Sequence, residues 1–378
     1  PAETHANPHA VRPEQAHEHE HPRDATRRGE TEGSTHLPDH ATPRLAARRE
    51  KMPPPQEQQQ EFIVNNEFDQ IYTEAGGSGM NAGTWEDGTF YFNIVPSNKL
   101  ELWFWMESER LLNPIFREFY SERDVVREER RQVVESDPTA RYEEQFDFMF
   151  WGSVPYHHPV VGWPSDVESI GREAADRFFD TYYAPNNITV ALVGDFDAAE
   201  AIELAEQYFG RIPRGETMPP PVVTEEIEQL TERRMKAEAD TNPAVQIRWH
   251  TVPFVHKDQY AVDVAQAVLS GRTGRLYKSL VETEQIATGE PYAGARAFKY
   301  GGFMEIGAEL ADGVDHQTVE DALLAEVKRL QEELVPEREL QKVKNQSLAD
   351  SYRRLQSSYY LMVQLLWYTA SGDWHYLN

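Results

Sequence analysis

The chain has 378 residues, which is room for two domains of ordinary size. Its 64 acidic residues against 37 basic ones give a net charge of −27, which argues against nucleic acid as a partner, because phosphates require a basic face. The absence of cysteine excludes a disulfide framework and thiolate chemistry. No apolar run approaches the ~20 residues of a membrane span, and no signal peptide is apparent at residue 1.

Residues 1–58 differ in composition from the rest of the chain. They contain no Phe, Tyr, Trp or Ile, and they hold seven of the 13 histidines. Such a segment cannot bury enough apolar surface to offset the loss of chain entropy, so it is predicted to be disordered. A misread reading frame would leave a similar Pro-, Arg- and His-rich composition, and both interpretations stay open.

From residue 67 the hydrophobic periodicity is that of a globular α+β protein. In the first half it predicts helices at 67–75, 99–112, 121–135, 142–151, 166–183 and 198–209, and strands at 81–95 and 187–194. The composition of residues 213–222 is typical of a linker. After it, the pattern predicts strands at 235–239, 245–252 and 302–310, and helices at 258–270, 275–284, 314–334 and from 336 onward. One α+β unit is therefore followed by a similar one.

Several short motifs occur in a characteristic order. They are NAGTWEDGTFYF (81–92), ERDVVREERR (122–131), PYHHPVVGW (155–163), YYAPNN (182–187), VGDFD (193–197), YFGRIPRG (208–215) and GRLYKSLVE (274–282). Together they resemble the insulinase/pitrilysin family of inverted-zincin zinc peptidases, in its two-subunit bacterial or mitochondrial-processing-peptidase-like branch. The resemblance covers about residues 65–378.

The resemblance implies two tandem related α/β sandwich domains, which form half of a clam-shell chamber. On this basis residues 1–58 are the disordered or misread segment, 59–213 a peptidase-like domain, 214–224 a linker, and 225–378 a second homologous domain that is incomplete at its C-terminal end. The implied activity is zinc-assisted hydrolysis of peptides. The bacterial periplasm or the cell exterior is the expected location.

Glu129 is the candidate metal ligand, because the family places a zinc-ligating Glu after a Glu-Arg pair on the second of two helices. Glu122 and Arg123 form that pair, and seven residues separate Glu122 from Glu129, so both carboxylates share a helix face. Glu122 would orient the histidine ligands by hydrogen bonding. From helix chemistry alone, the run Glu-Glu-Arg-Arg also fits a charged face exposed to solvent.

The His-x-x-Glu-His helix that supplies two ligands and the general base in this family is missing from its expected place. Residues 49–53 stand there, without a histidine and with prolines after them. His17, Glu20 and His21 match the motif, but Pro22 follows at once and no apolar face accompanies them, so the match is taken as chance. The general base therefore has no candidate, and the chain as written is expected to be inactive.

Asn81, Ala82 and Gly83 are the candidate substrate-binding residues. In relatives this glycine-rich entry to an edge strand lies beside the zinc, and the substrate is added to it as a further strand. An ordinary turn followed by a strand is the alternative. His157 and His158 lie in a loop that the family uses structurally, and they are left out of the site.

Val281 and Thr288 occupy the positions where some relatives carry an Arg and a Tyr that hold the substrate. Chains that bear the zinc in two-subunit members lack this pair, so a homologous partner subunit is expected to supply it. The alternative to a peptidase is a non-catalytic assembly or scaffold subunit, similar to the core subunits of respiratory complexes.

Overall fold

A computed structural model describes residues 66–116, 118–216 and 218–377. The predictions for residues 1–58, including the disorder and the His17 motif, lie outside these residues. Within them, no helix is both long and apolar enough to cross a membrane. The expected α+β class is confirmed, since helices and antiparallel strands occur in both halves.

The first half, residues 66–212, consists of a two-stranded hairpin and seven helices among the residues described. Its elements are α1 (Glu67–Glu74), β1 (Ser78–Trp85), β2 (Gly88–Ile94), α2 (Leu100–Leu112), α3 (Phe119–Arg130), α4 (Ala140–Phe150), α5 (Pro164–Ser169), α6 (Arg172–Tyr182) and α7 (Ala198–Tyr208). Helix α3 continues into a wider π-helical turn, Arg131–Glu135. Asp197 caps α7, because its carboxylate accepts the backbone N–H groups of Ala199 and Glu200.

The second half, residues 244–377, contains a three-stranded antiparallel sheet of order β3–β5–β4. Its elements are β3 (Ala244–Thr251), α8 (Gln259–Leu269), a π-helix (Tyr277–Thr283), β4 (Ala287–Ala297), β5 (Gly302–Leu310), α9 (His316–Glu332), α10 (Glu337–Leu355) and α11 (Ser358–Ser371). The side chains of Leu269, Leu280, Ile306, Val319 and Leu323 are fully buried in one core between this sheet and the helices.

Strand 81–95 was predicted as one element, and this prediction is wrong: the segment is the hairpin of β1 and β2. Trp85 pairs with Gly88, so Glu86 and Asp87 form a two-residue turn. The alternation that predicted the strand, Phe90, Phe92 and Ile94 against polar or tyrosine neighbours, lies in β2 alone, and β1 has no such alternation to mark where the first strand ends.

Two predicted helices are each divided in the structure. Residues 166–183 form α5 and α6, separated by extended backbone at Ile170 and Gly171. The region from 336 onward forms α10 and α11, and the Ser357 hydroxyl accepts the backbone N–H of Tyr360 to begin the second helix. In both places the apolar period continues across a break of only a few residues, which explains the error.

In the second half one strand was predicted where none forms, and another was missed. Residues 235–239 carry no strand, and they belong to an irregular segment that runs to residue 243. Strand β4 was missed because its sequence, ATGEPYAGARA, is rich in Gly and Ala, which have low strand propensity. It is a strand because β5 offers it a complete hydrogen-bonding edge.

Residues 187–194 were predicted as a buried strand, and this is wrong for the residues described. Asn187 ends a short helical turn, Ile188 has an extended backbone, and residues 188–193 belong to no sheet among the residues described. The sequence Ile-Thr-Val-Ala-Leu-Val has the β-branched composition of a strand. A strand also needs a neighbour, and none of the described residues provides one.

The two halves meet through an aromatic cluster and a buried arginine. Phe150, Trp151, Val154 and Tyr156 of the first half pack against Phe298 of the second. Their rings lie edge-on or tilted to one another, which is the favoured geometry for aromatic pairs.

Arg248 on β3 also contributes to this interface, through ion pairs. Its side chain is 6% exposed and forms ion pairs with Asp147 on α4 and Glu305 on β5. Its guanidinium also lies over the ring of Phe303 at 4.3 Å from the centroid. Removing one partner would leave a buried charge uncompensated, so this contact fixes α4 on the sheet.

Candidate peptide-binding strand and metal-ligand helix

Strand β1 is an edge strand, because among the described residues it pairs only with β2. Residues 78–82 are exposed, and only Trp85 at the end of the strand is buried. The left-handed backbone of Gly76 (φ 85°) ends α1 and Gly79 (φ 63°) bends the entry to β1, conformations that favour glycine. The register shifts between Ser78 and Asn81, which marks a bulge at this edge.

The three predicted substrate-binding residues lie in the middle of β1. Asn81 pairs with Phe92, Ala82 with Tyr91 and Gly83 with Phe90. The side-chain oxygen of Asn81 accepts the backbone N–H of Ala82 at 2.8 Å. The outer edge of the strand thus carries a main-chain donor that is held by a local side chain.

Gly83 has a packing reason that the sequence analysis did not find. A Cβ atom built at this position would lie 2.6 Å from the ring of Phe90 on the paired strand. A larger residue here would displace the Phe90 ring, so glycine allows the ring to cover the ladder in its present position. The sequence signal is the aromatic residue Phe90, which the register of the hairpin places opposite Gly83 on the neighbouring strand.

Helix α3 is held on one face by three arginines. Arg123 donates to the Ile170 carbonyl at 3.4 Å, and Arg127 pairs with Glu168 at 3.0 Å. Arg130 is buried and forms a two-pronged ion pair with Glu144, at 2.7 and 2.8 Å. These spacings place the three arginines on one face of the helix.

Glu122 and Glu129 lie on a different face of α3, which is exposed. Within the described part of the chain, neither carboxylate accepts a hydrogen bond or forms an ion pair. The exposed side chains of Val125, Val126 and Val133 accompany them. This face thus combines free carboxylates with apolar side chains, in the manner of a helix surface that packs against another element.

Glu128, the neighbour of Glu129, is engaged locally. Its carboxylate accepts hydrogen bonds from Arg131 at 2.6 and 2.8 Å and from Gln132 at 2.9 Å. The bonds from Arg131, then that from Gln132, lower the pKa of Glu128 to about 2. Of these two adjacent acids, Glu129 is therefore the one whose oxygens are available to a ligand.

Zinc is the metal that the resemblance implies, and the described residues do not form a site for it. No group of three or more His, Cys, Asp or Glu side chains in residues 66–116, 118–216 and 218–377 is arranged to hold a metal ion. His157 and His158 are engaged in their own loop. His157 Nδ1 lies 2.8 Å from the Val154 carbonyl, and Trp163 donates to His158 Nδ1 at 3.1 Å.

Tyr156, in the same loop, connects the β1–β2 turn to the second half. Its hydroxyl donates to Asp87 at 2.8 Å and accepts the backbone N–H of Tyr300 at 3.0 Å. Asp87 also accepts the backbone N–H of Lys299 at 2.8 Å. Burial, followed by the charge of Asp87, raises the pKa of Tyr156 above its ordinary range. No local pattern in the sequence indicates that this tyrosine positions the hairpin.

Val281 and Thr288 lie in the second half, within the segment LVETEQIAT (280–288) on which their assignment was based. Val281 packs against the apolar core, and the Thr288 hydroxyl lies 3.5 Å from the Leu310 carbonyl on the neighbouring strand. Val281 packs within the π-helix and Thr288 within β4. Neither side chain carries a charged group or an acidic hydrogen-bond donor.

Comparison with known proteins agrees with these motifs. Residues 169–347 match the family model of the peptidase M16 inactive domain. The chain is 28% identical to the zinc protease PqqE of Helicobacter pylori, over 77% of this chain and 67% of that protein. It is 23% identical to the mitochondrial-processing peptidase subunit beta of Caenorhabditis elegans, over 39% of this chain and 36% of that protein.

The fold agrees as well. The crystal structure of a protease from Helicobacter pylori superposes with a TM-score of 0.76 and 24% identity, covering 83% of this chain and 77% of that one. The fold and motifs define a peptidase-like protein of the α+β class. The chain is similar to proteins of the insulinase/pitrilysin (M16) family, and its matched region, residues 169–347, is of the inactive-domain type.

Proposed function

We propose that this chain binds extended polypeptides by adding them as a strand to the outer edge of β1. The observation that carries the proposal is the exposure of residues 78–82 on a strand that is paired on one side only. Such an edge offers main-chain donors and acceptors to a second backbone. The peptide would pair beside Asn81, Ala82 and Gly83.

Hydrolysis requires groups beyond the residues described. Glu129 is the one metal ligand that this chain would contribute, and Glu122 would orient the others. The two histidines and the general base would come from a His-x-x-Glu-His helix, and the homologous partner subunit would add the Arg and Tyr that Val281 and Thr288 replace. The names of the relatives, which include zinc proteases, support this assignment. The chain alone is then a peptide-binding subunit without peptidase activity.

The test is binding of a labelled unstructured peptide, followed by fluorescence anisotropy, without any requirement for cleavage. Substituting Ala82→Pro places a ring on the edge of β1, where it obstructs an added strand, and it also removes the N–H that Asn81 holds, so affinity should fall at least tenfold. The control is Thr224→Pro, which lies in the irregular segment 218–243 and should leave binding unchanged. Ser97→Pro would not serve as a control, because Pro96 already precedes it.

Unchanged affinity in Ala82→Pro, in a protein whose thermal unfolding is normal, would contradict the proposal. The non-catalytic scaffold subunit would then be the better description. That alternative draws support from the inactive-domain match of residues 169–347.

A further inference from the structure

The turn of the β1–β2 hairpin is attached to the second half of the molecule by hydrogen bonds. Asp87, in the turn, accepts a hydrogen bond from the Tyr156 hydroxyl at 2.8 Å and another from the backbone N–H of Lys299 at 2.8 Å. The Tyr156 hydroxyl itself accepts the backbone N–H of Tyr300 at 3.0 Å. Asp87, Tyr156, Lys299 and Tyr300 thus form one connected set of hydrogen bonds, which we call the turn clamp.

The second half supplies a firmly held turn to this clamp. Lys299 and Tyr300 lie between β4 and β5, in a turn that the Phe298 N–H closes by donating to the Gly301 carbonyl at 2.7 Å. Phe298 is 1% exposed, and its carbonyl accepts the backbone N–H of Phe254 at 2.9 Å. Because this turn is anchored in the aromatic cluster, the clamp fixes the hairpin relative to the sheet of the second half.

One face of the hairpin also lies against α11, which belongs to the second half. Trp85, at the end of β1, stacks on Trp367 with the ring centroids 4.8 Å apart. Phe92 on β2 meets Tyr359 edge-on, with the centroids 5.1 Å apart. Both geometries are favoured for aromatic pairs, so α11 supports the hairpin over the length of its paired region.

The first half contacts the hairpin at a different place, in the middle of β2. The hydroxyl of Tyr91 is hydrogen-bonded to that of Tyr183, and the guanidinium of Arg110 lies over the Tyr91 ring at 4.6 Å from its centroid. These contacts hold β2 and not the turn. The direction in which the hairpin leaves the first half is therefore set by the clamp and by α11.

The position of the hairpin bears on how tightly β1 can bind a peptide. A hairpin of two strands is only marginally stable in water when it stands alone, so this one depends on its anchors for a fixed geometry. Residues that must be ordered when a peptide binds cost conformational entropy, and this cost lowers the affinity. The contacts with the second half order the edge beside Asn81 before the peptide arrives.

We propose that the second half controls peptide binding on β1 through the turn clamp, with Asp87 and Tyr156 as positioning residues. Both lie outside the exposed residues 78–82, so they act on the peptide only through the placement of the strand. The inference rests on the proposed function and names the regulation of that same site. It gives the second half, which contains much of the region of inactive-domain type, a part in binding.

The test measures peptide affinity and amide hydrogen exchange in the same variants of the full chain. The probe is a blocked, fluorescent peptide of 8 residues, the length of β1, in which valine alternates with lysine to suit a chain of net charge −27. Asp87→Asn places an amide NH₂ group against one of the two donors that the carboxylate now accepts. We expect the affinity to fall about fivefold and exchange at residues 78–94 to quicken about fivefold.

Further variants separate positioning from general stability. Tyr156→Phe removes the hydroxyl but keeps the ring in the aromatic cluster, and it should act in the same direction as Asp87→Asn. Ile306→Ala is the matched control, because Ile306 is fully buried in the other core cluster of the second half. It lowers stability without touching the clamp, so the affinity for the probe should stay unchanged.

A conservative pair adds a rescue. Glu86, beside Asp87 in the turn, forms an ion pair with Arg296 on β4 at 2.9 Å. Arg296→Gln removes the charge and should weaken probe binding by a smaller factor than Asp87→Asn. Arg296→Lys keeps the charge and should restore the affinity.

Other outcomes overturn the proposal. Full probe binding in Asp87→Asn and Tyr156→Phe, together with loss of binding in Ala82→Pro, would refute this inference and leave the proposed function intact. An equal loss of affinity in Ile306→Ala would assign the effect to overall stability and refute it as well. An unsubstituted chain that bound no probe would refute the proposed function and this inference together.

Discussion

The two halves of the molecule use strand-forming sequence differently. In the second half, β3, β5 and β4 form a continuous ladder, and the fully buried Leu280 and Ile306 lie beneath it. In the first half, β1 and β2 pair only with each other among the residues described, and the segment 188–193, with its strand-like composition, lines a cavity. The comparison teaches that strand propensity produces a sheet only where the fold provides the adjacent strand.

The largest expected effect concerns completion of the first half. Adding a family-type His-x-x-Glu-His helix just before Asn65, together with a homologous partner subunit, should produce chelator-sensitive hydrolysis of extended peptides. In that complex Glu129→Gln should lower the rate by several orders of magnitude, because it removes a charged metal ligand. Steady-state kinetics with a quenched fluorescent peptide would measure this.

Glu128→Gln is the matched control, since Glu128 is already engaged by Arg131 and Gln132. Asn81→Ala should cost less than Glu129→Gln, chiefly in KM, because backbone pairing does most of the binding. If Glu128→Gln were damaging and Glu129→Gln silent, the assignment on the helix would be wrong by one residue. If neither had an effect, the site assignment as a whole would fail.

The second prediction compares the packing of the two halves. Ile306→Ala should lower the free energy of unfolding by about 2–5 kcal/mol, because the side chain is fully buried in the core of the second half. Val190→Ala in the first half should cost less than about 0.5 kcal/mol, since that side chain is 45% exposed. Urea denaturation of the two variants measures the difference, and equal costs would show that the first half is packed as tightly as the second.

The third prediction concerns the segment that joins the halves. The Glu226 carboxylate accepts the backbone N–H groups of Gly152, Ser153 and Val154, at 2.8, 3.1 and 3.1 Å. Burial raises the pKa of Glu226, but these three hydrogen bonds outweigh it, and the net pKa is lowered. A lowered folded-state pKa means that the stabilisation is present above the unfolded-state value of about 4.3 and is lost as the pH falls below it.

Glu226→Gln should therefore reduce stability by about 1 kcal/mol at neutral pH, a modest value because the group is partly exposed to solvent. The difference from the unsubstituted chain should shrink as the solution is acidified below about pH 4. Thermal unfolding as a function of pH measures it. A difference that is independent of pH would show that the carboxylate does not anchor the segment through its charge.

The smallest expected signal is that of the chain alone, which should show neither zinc binding nor peptidase activity. With residues 1–58 removed to exclude their histidines, the chain should bind no stoichiometric zinc and cleave no peptide, because one carboxylate cannot form a three-ligand site. Metal analysis of the purified protein and a peptidase assay check this. One zinc per chain, lost on Glu129→Ala, would refute the prediction.

Much of the helical structure was predictable, because amphipathic periodicity and capping residues act within a few residues. Helix α7 and strand β5 at residues 302–310 agree with the predictions. The candidate residues on β1 and α3 were found by motif, and the structure adds which of their atoms are already engaged, as at Asn81 and Glu128.

The sequence by itself determined the resemblance to a peptidase family, the α+β class and the position of most helices, since these follow from local patterns. Only the tertiary structure decided that β4, with its weak propensity, is a strand and that residues 188–193, with strong propensity, are not. It also decided that Tyr156 joins the hairpin turn to the second half. The physical reason is that hydrogen bonds between strands, and contacts between distant side chains, depend on neighbours that no local stretch of sequence specifies.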